Sequence, residues 1–196
     1  MKKLLNTIIG WLNGPESMTA LTLEDTLKIL VISDTHERTE QLEKILERHA
    51  DEVQVVCHLG DNAGDLSKYE SRFPQLKMIM VAGNCDYSYP DDEHILEFTP
   101  CADSGAEVVK RVLLIHGHRH DVKISFDRLA YYAKEKNVDA CFFGHTHLPE
   151  MFERGDILML NPGSLSCPLN GQPSYAIVEI SPDGEITGRI VRYEKN

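Results

Sequence analysis

Apolar runs of strand length recur along this chain, with helix-like segments between most of them. Five runs have the length and β-branched content of buried strands: 27–33, 53–59, 77–82, 107–115 and 138–143. Helical periodicity marks three segments: 37–50, 65–72 and 125–137. Strands that alternate with helices predict a mainly parallel sheet covered on both faces. Later runs are shorter and separated by turn signals, which predicts a meander in a second sheet packed on the first.

A polar motif directly follows each of the five runs. In chain order the motifs are SDTH, LGDN, AGNCD, HGHRH and GHTH. Ligands of open α/β sheets bind beyond the carboxyl ends of the strands, so we expect these motifs to meet at one place. Their metal-ligating side chains are Asp34, His36, Asp61, Asn84, His116, His145 and His147.

These side chains offer carboxylate, amide and imidazole groups and no thiolate. Such a set suits Mn²⁺, Fe, Zn²⁺ or Ni²⁺ better than Ca²⁺ or a structural zinc site. The ligands exceed one tetrahedral site, whereas two ions about 3.5 to 4 Å apart that share a carboxylate and a water use them all. Positions then remain open for a substrate oxygen.

Charge and cysteine content narrow the partners and the compartment. The chain has 31 acidic and 20 basic residues and a net charge of −11, which argues against general nucleic-acid binding. Two dications would add about +4 locally, so a small anionic substrate is still compatible with this charge. The five cysteines form no CxxC pair, which is typical of reduced thiols and predicts a cytoplasmic protein.

The N-terminal residues 1–17 have the pattern of an amphipathic helix that ends at a Gly-Pro stop signal. Its apolar part of roughly ten residues is too short for a transmembrane segment, which needs about 20. We expect it to pack on the domain or to form a homo-oligomer contact; a membrane-surface contact, a signal peptide or a natural start at Met18 are alternatives. The predicted division is an N-terminal helix and linker over 1–26 and one domain over 27–196.

The order D-x-H, G-D, G-N-x-D, a lone histidine and G-H-x-H resembles the signature of calcineurin-like metallophosphoesterases. The short chain, the GNCD variant and the NPGS segment at 161–164 are similar to the small single-domain phosphodiesterases of bacteria and archaea. That branch also resembles a retromer scaffold subunit. The match covers roughly 27–193 and implies an α/β fold in which two packed mixed β-sheets are flanked by helices, a four-layer α/β/β/α sandwich.

The resemblance also implies how the metals are held and what they do. It assigns the ligands to two ions that share Asp61: Asp34, His36 and His147 for one, and Asn84, His116 and His145 for the other. Mn²⁺ is the expected ion, with Ni²⁺, Fe or Zn²⁺ as alternatives. The implied reaction is hydrolysis of a small phosphodiester by a hydroxide that bridges the two ions.

One position departs from the family pattern. Many relatives carry histidine after the G-N pair, where this chain has Cys85 followed by Asp86. A thiol with a pKa near ~8.5 is a poor substitute for an imidazole acid, so we predict substrates whose leaving groups need little protonation. His118 either contacts the phosphate or points away along the strand end. The candidate catalytic residues are therefore Cys85, Asp86 and His118.

Two other functions are compatible with these motifs. One is a phosphomonoesterase or nucleotidase, and the other is a protein-interaction scaffold with idle metal positions. Because every metal position holds a ligating residue type, the enzyme is favoured. Residues 85–105 are expected to form a loop beside the pocket. The other histidines are predicted to lie at the surface or to be satisfied in the core: His49, His58, His94 and His120.

Overall fold

The computed structural model describes residues 18–23, 25–87, 91–100 and 110–194. The strands in this part of the chain are β1 (Met18–Leu23), β2 (Leu27–Ile32), β3 (Val55–His58), β4 (Lys77–Met80), β5 (Glu93–Pro100), β6 (Lys110–Ile115), β7 (Ala140–Phe143), β8 (Pro149–Arg154), β9 (Ile157–Pro162), β10 (Ser174–Ile180) and β11 (Ile186–Arg192). The α-helices are α1 (Glu40–His49), α2 (Gly64–Ser67) and α3 (Asp127–Glu135), and a 3-10 turn covers His118–His120. The predicted N-terminal helix lies outside the described residues.

The strands form two sheets of mixed direction. One sheet has the order β1-β5-β6-β7-β9-β8, and the other has the order β11-β10-β2-β3-β4. In the second sheet β2, β3 and β4 are parallel, and β10 is antiparallel to β2. In the first sheet β6, β7 and β9 are parallel, and β5 is antiparallel to β6. The predicted pair of mixed sheets is confirmed.

Alternate side chains of each sheet enter different apolar cores. Ile29 and Val31 of β2 lie with Phe142 of β7 in one buried cluster between the sheets. Their neighbours Leu30 and Ile32 lie on the opposite face of β2, in the cluster that contains the buried side chains of α1. A third cluster joins the outer face of β7 to α3. Helices therefore cover both outer faces, and the predicted α/β/β/α sandwich is confirmed.

The expected distribution of strands between the sheets was wrong. The five predicted strands do not form one sheet, because β2, β3 and β4 lie in one and β6 and β7 in the other. The last third does not form a sheet of its own either. β9 pairs with β7 and β10 pairs with β2, so each sheet is extended by strands from the end of the chain.

Two strands at the edge of the larger sheet were not predicted. Met18–Leu23 lies in the segment expected to be a linker, but it forms β1 and pairs with β5 in parallel. Likewise, β5 occupies part of the expected loop 85–105. Both strands alternate apolar with polar residues, so that Leu21 and Leu96 enter the core between the sheets. This burial explains why both segments are strands.

Two histidines outside the motifs are satisfied in the core, as expected. His49 of α1 lies 2.8 Å from the hydroxyl of Tyr175 through its Nε2. His94 of β5 lies 2.9 Å from the hydroxyl of Thr19. The first contact joins α1 to β10, and the second joins β5 to the edge strand β1. None of the helices in the described ranges combines the length and apolar composition that a membrane crossing requires.

Candidate metal centre

The predicted ligating side chains all follow strands at one end of the sandwich. Those of Asp34 and His36 come after β2, that of Asp61 after β3 and that of Asn84 after β4, whereas the three histidines come after β6 and β7. Two sets of donor atoms each lie within 4.8 Å of one another: Asp34, His36, Asp61 and His147 in one set, and Asp61, His116 and His145 in the other. The motifs therefore meet, although they belong to two sheets. Asn84 is in neither set: its side chain is exposed, and its amide donates to Sγ of Cys85 at 3.3 Å. Its loop reaches the centre through the N–H of Cys85, which donates to Oδ1 of Asp61.

Asp61 lies between the two sets. Its Oδ2 is 3.7 Å from Nε2 of His36, and its Oδ1 is 3.4 Å from Nε2 of His116. In the first set, Nε2 of His147 is 3.1 Å from Oδ1 of Asp34. In the second, the rings of His116 and His145 are 5.0 Å apart. One carboxylate is thus positioned to serve two neighbouring cation positions.

Several buried ligating atoms have no hydrogen-bond partner within the described residues. They include Oδ1 of Asp34, Nε2 of His116 and Nδ1 of His145. Buried polar atoms in proteins are normally satisfied, so a group of unpaired acceptors at one point requires a partner. A divalent cation satisfies carboxylate oxygens and imidazole nitrogens together. The residues at this centre therefore fit divalent metal ions.

Backbone carbonyls orient two of the histidine rings. Nδ1 of His116 donates to the carbonyl of Leu59 at 2.6 Å, and Nδ1 of His147 donates to the carbonyl of Cys167 at 2.8 Å. In a neutral ring this leaves Nε2 with a lone pair, which is the form that binds a metal. Nε2 of His147 and Nε2 of His36 are 3.3 Å apart, so both nitrogens are aimed at the same space.

The two carboxyl groups remain ionised in this environment. Burial alone would raise the pKa of Asp34, but its contacts with His147 and His116 lower the pKa below its ordinary value. Burial likewise opposes ionisation of Asp61, and contacts with His116 and the N–H of Cys85 outweigh it, so its pKa is lowered. The pKa of His145 falls to about 4, chiefly through burial. Burial opposes protonation of His116, but the carboxylates of Asp61 and Asp34 outweigh it and raise the pKa of this ring. Contact with Asp34 likewise raises the pKa of His147. Metal binding needs anionic carboxylates and neutral imidazoles, so a cation bound at these two rings would have to replace their protons.

Left-handed backbone conformations concentrate at this centre. Five of its ligating residues have positive φ, between 43° and 69°: Asp34, His36, Asp61, His145 and His147. Each such residue costs of order 1 kcal/mol and persists only where the surroundings hold it. These turns reverse the chain immediately after a strand, which directs the following side chains into the space between the sheets' ends.

Glycines allow two loops to approach closely. A Cβ on Gly83 would lie 2.3 Å from the backbone nitrogen of Asp61 and 2.4 Å from its Oδ1. A Cβ on Gly144 would lie 2.1 Å from Oγ of Ser33. Only a residue without a side chain fits either position. The glycines of the G-N and G-H motifs are thus required by packing against the neighbouring loop.

The NPGS segment connects the loops of the two sheets. The amide of Asn161 donates to the carbonyl of Gly144 at 2.8 Å, and the hydroxyl of Ser164 donates to the carbonyl of Asp34 at 2.8 Å. Both side chains are fully buried. In the sequence this segment was used as part of the family resemblance, and its positioning contacts were not predicted. The available signal was two small polar residues directly after an apolar run.

The candidate catalytic residues have distinct surroundings. Both oxygens of Asp86 accept backbone hydrogen bonds, from Ala63 at 2.9 Å and from Gly83 at 2.8 Å, so this side chain ties two loops together. The N–H of Cys85 donates to Oδ1 of Asp61 at 2.9 Å, and burial and the charge of Asp61 raise the pKa of its thiol to about 11. The ring of His118 is 5.3 Å from that of His116.

A buried chain of hydrogen bonds supports the first motif. The N–H of Gly60 donates to Nδ1 of His58 at 3.2 Å, so Nε2 carries the proton and donates to the hydroxyl of Thr35 at 3.0 Å. That hydroxyl donates to Oδ2 of Asp65 at 2.8 Å. Thr35 lies between two ligating residues, so His58 holds the loop that positions both. The expectation of a satisfied core histidine is confirmed here.

Comparison with known proteins agrees with this geometry. The family model of the calcineurin-like phosphoesterase superfamily domain matches residues 27–183, and the chain belongs to this family. A probable metallophosphoesterase of Bacillus subtilis, YsnB, is 33% identical over 159 residues, which cover 80% of this chain and 86% of that protein. The phosphodiesterase YfcE of Escherichia coli K12 is 33% identical over 171 residues, covering 78% and 88%.

A similar solved structure is that of Vps29 from Entamoeba histolytica in complex with Zn²⁺. It has a TM-score of 0.57 and 25% identity and covers 85% of this chain and 99% of that chain. The resemblance drawn from the motifs is therefore confirmed at the level of the family.

Gly83→Ala tests whether the close approach of two loops is needed for metal binding. Because the added methyl group would overlap Asp61, we expect binding of Zn²⁺ to the metal-stripped protein, measured by calorimetry, to weaken roughly 10- to 100-fold. The matched control is Gly64→Ala, where nothing lies within 4 Å of the added Cβ. Equal affinities for the two variants would contradict the packing argument.

His58→Gln tests the buried support of the first motif through pH. The pKa of His58 is lowered from 6.5 to about 4 by burial, so between these values the unfolded state binds more protons than the folded state. The contribution of neutral His58 to the free energy of unfolding is fully present above pH 6.5 and is lost as the pH falls towards about 4. In urea unfolding of metal-free protein, the variant should reduce the pH slope of the unfolding free energy in that window by up to about 1.4 kcal/mol per pH unit. An unchanged slope would refute a neutral buried His58.

Proposed function

We propose that this protein is a metal-dependent phosphodiesterase that acts on a small phosphoester substrate. The observation that carries the proposal is the position of Asp61, whose two oxygens lie beside two separate sets of imidazole nitrogens. Two neighbouring divalent cations that share a carboxylate are a recurring arrangement in phosphoester hydrolysis. The relationship to a protein named as a phosphodiesterase supports the same reaction class.

The proposed ligands divide into two sets that share Asp61: Asp34, His36 and His147 in one, and Asn84, His116 and His145 in the other. Cations held there would supply Lewis-acid activation of water and of a phosphoryl oxygen. We propose Mn²⁺ as the ion, with Ni²⁺ and Fe as alternatives that suit the same donors. Zn²⁺ is a further alternative, supported by the zinc complex of the Entamoeba Vps29.

The residues around the ligands have separate proposed roles. Asp86 positions the loop of Asp61, because both of its oxygens are used by backbone N–H groups. His118 lies beside His116 and is proposed to contact the substrate phosphate. Cys85 replaces the usual imidazole, and a neutral thiol is a weaker proton donor than an imidazolium. Substrates whose leaving groups need little protonation are therefore favoured.

We also propose a cytoplasmic location and a contact between copies of the chain through the N-terminal segment. The cysteines within the described ranges are free thiols: Cys57, Cys85, Cys141 and Cys167. Free thiols suit a reducing compartment. The division into an N-terminal helix and a domain that follows it belongs to this proposal, with the domain extended to include β1.

The first experiment compares hydrolysis of bis(4-nitrophenyl) phosphate with that of 4-nitrophenyl phosphate. Protein stripped of metal and then supplied with Mn²⁺ should cleave the diester faster than the monoester and should be inactive before metal is added. Asp61→Asn keeps the side-chain shape but removes the shared charge, so its activity should fall by at least about a hundredfold. The control is Asp183→Asn on an exposed turn, which should retain activity.

The other outcomes of this experiment are equally informative. Faster cleavage of the monoester would replace the diesterase by a phosphomonoesterase or nucleotidase. Failure to cleave either ester with two metal ions bound per chain would favour the protein-interaction scaffold. In both cases the metal stoichiometry is measured on the same samples.

Cys85→Ala tests the proposed absence of a strong acid. Because 4-nitrophenolate departs without protonation, the variant should keep most of the turnover of bis(4-nitrophenyl) phosphate. Cys85→His should raise the rate for diesters with alkyl leaving groups, which need a proton. Loss of turnover of the activated diester in Cys85→Ala would show that the thiol is required and would overturn this assignment.

A further inference from the structure

An open cavity of about 520 Å³ lies beside the metal centre. Its lining includes Ile124 and Phe126 from the segment before α3, Leu148 from the loop after β7, and Leu169 from the loop before β10. This volume is within the range of about 300 to 1,000 Å³ that is usual for sites of small ligands. Three separate loops thus contribute apolar side chains to one concave surface.

Three of the apolar side chains that line this cavity are exposed, whereas Val122 is buried. Ile124 is 88% exposed, Leu169 69% and Leu148 37%. Exposed apolar residues that are scattered singly need no explanation, whereas a group on one concave surface marks a place where an apolar group binds. We refer to Ile124, Leu148 and Leu169 as the apolar subsite.

The apolar subsite is continuous with the candidate metal centre. Leu148 directly follows His147, and the N–H of Leu169 donates to the carbonyl of His147 at 3.3 Å. Thr146, which lies between two ligating histidines, also lines the cavity. The cavity and the metal centre thus share the chain segment 145–148.

A cationic side chain lies among the groups that line the cavity. Lys123 lines it together with Thr146, which stands between two ligating histidines, and with Leu148, which directly follows one of them. Within the described residues it forms no ion pair with a carboxylate. The same lining holds the carboxylates of Asp127 and Glu150 and the guanidinium of Arg154, which is paired with Asp127. Lys123 is therefore the cation of this lining that is available to an anionic group.

We propose that the apolar subsite binds an apolar organic group of the substrate, an aryl or alkyl alcohol esterified to the phosphate, while Lys123 contacts a phosphate oxygen. This inference rests on the proposed function and names its substrate class. It predicts that such diesters are preferred over diesters of small polar alcohols, because only an apolar alcohol removes the three apolar side chains from water. Water would cleave one of the two ester bonds. Cleavage of the bond to the apolar alcohol releases that alcohol and a phosphomonoester of the other alcohol; cleavage of the other bond releases the other alcohol and the phosphomonoester of the apolar one.

The test measures binding separately from catalysis. Full-length protein loaded with diamagnetic Zn²⁺ and labelled on Ile and Leu methyl groups is titrated with phenylphosphonate and with methylphosphonate. Phenylphosphonate should shift the methyl signals of Ile124, Leu148 and Leu169 and bind roughly tenfold more tightly, the effect expected of a modest apolar contact. Ile124→Ser and Leu169→Ser should each reduce this preference several-fold and leave methylphosphonate binding unchanged.

Controls and kinetics separate this proposal from the proposed function. Tyr131→Ser, which removes an aromatic side chain that is 72% exposed but outside the cavity, should not change either affinity. With bis(4-nitrophenyl) phosphate, the subsite variants should raise KM and leave kcat nearly unchanged. Equal affinity for the two phosphonates, or loss of both together, would overturn the apolar subsite even if diesters are cleaved. If the protein prefers phenylphosphonate but hydrolyses no diester, the apolar subsite is supported and the proposed phosphodiesterase activity is overturned.

Discussion

The convergence of strand ends from two sheets on Asp61 is the constraint on which this structure depends. β2 and β3 approach from one sheet and β6 and β7 from the other, and each is followed directly by a turn that carries a ligating side chain. The two carboxylates repel each other, and unpaired ring nitrogens lie beside them in a buried place. These side chains would not adopt the arrangement on their own. The rest of the fold must hold these side chains in place, and a cation at the centre would offset the repulsion between the two carboxylates.

The cost of that arrangement is distributed over the loops. Five left-handed residues cost together several kcal/mol, at about 1 kcal/mol each, and the buried contacts around them offset it. Asn161 and Ser164 connect the loops of opposite sheets, Asp86 connects two loops of the same sheet, and His58 supports the first motif through Thr35. These contacts hold the ligating side chains through groups other than a metal ion.

The parts of this centre that could be predicted from the sequence are those marked by local pattern. Each ligating motif directly follows an apolar run, so the meeting point of the six Asp and His side chains was accessible. Pairing between distant strands was not: Ala176 lies beside Val31 in the second sheet, and no local feature of β10 indicates that partner. Alternating strands such as β1 resemble exposed linkers until their partner is known. The role of Asn161 depends on its contact with Gly144, which belongs to another loop.

In the proposed function, recognition of the substrate would divide between two kinds of contact. Metal ions at the centre and Lys123 would attract a phosphate by charge, and this attraction is nearly the same for every phosphoester. Discrimination between esters would therefore come from groups that contact the alcohol, which is the role proposed for the apolar subsite. Its residues lie just outside the ligating motifs, at Ile124, Leu148 and Leu169. Under this proposal the ligating motifs supply the chemistry and the neighbouring loops select the alcohol, so the ligand set by itself does not name the substrate.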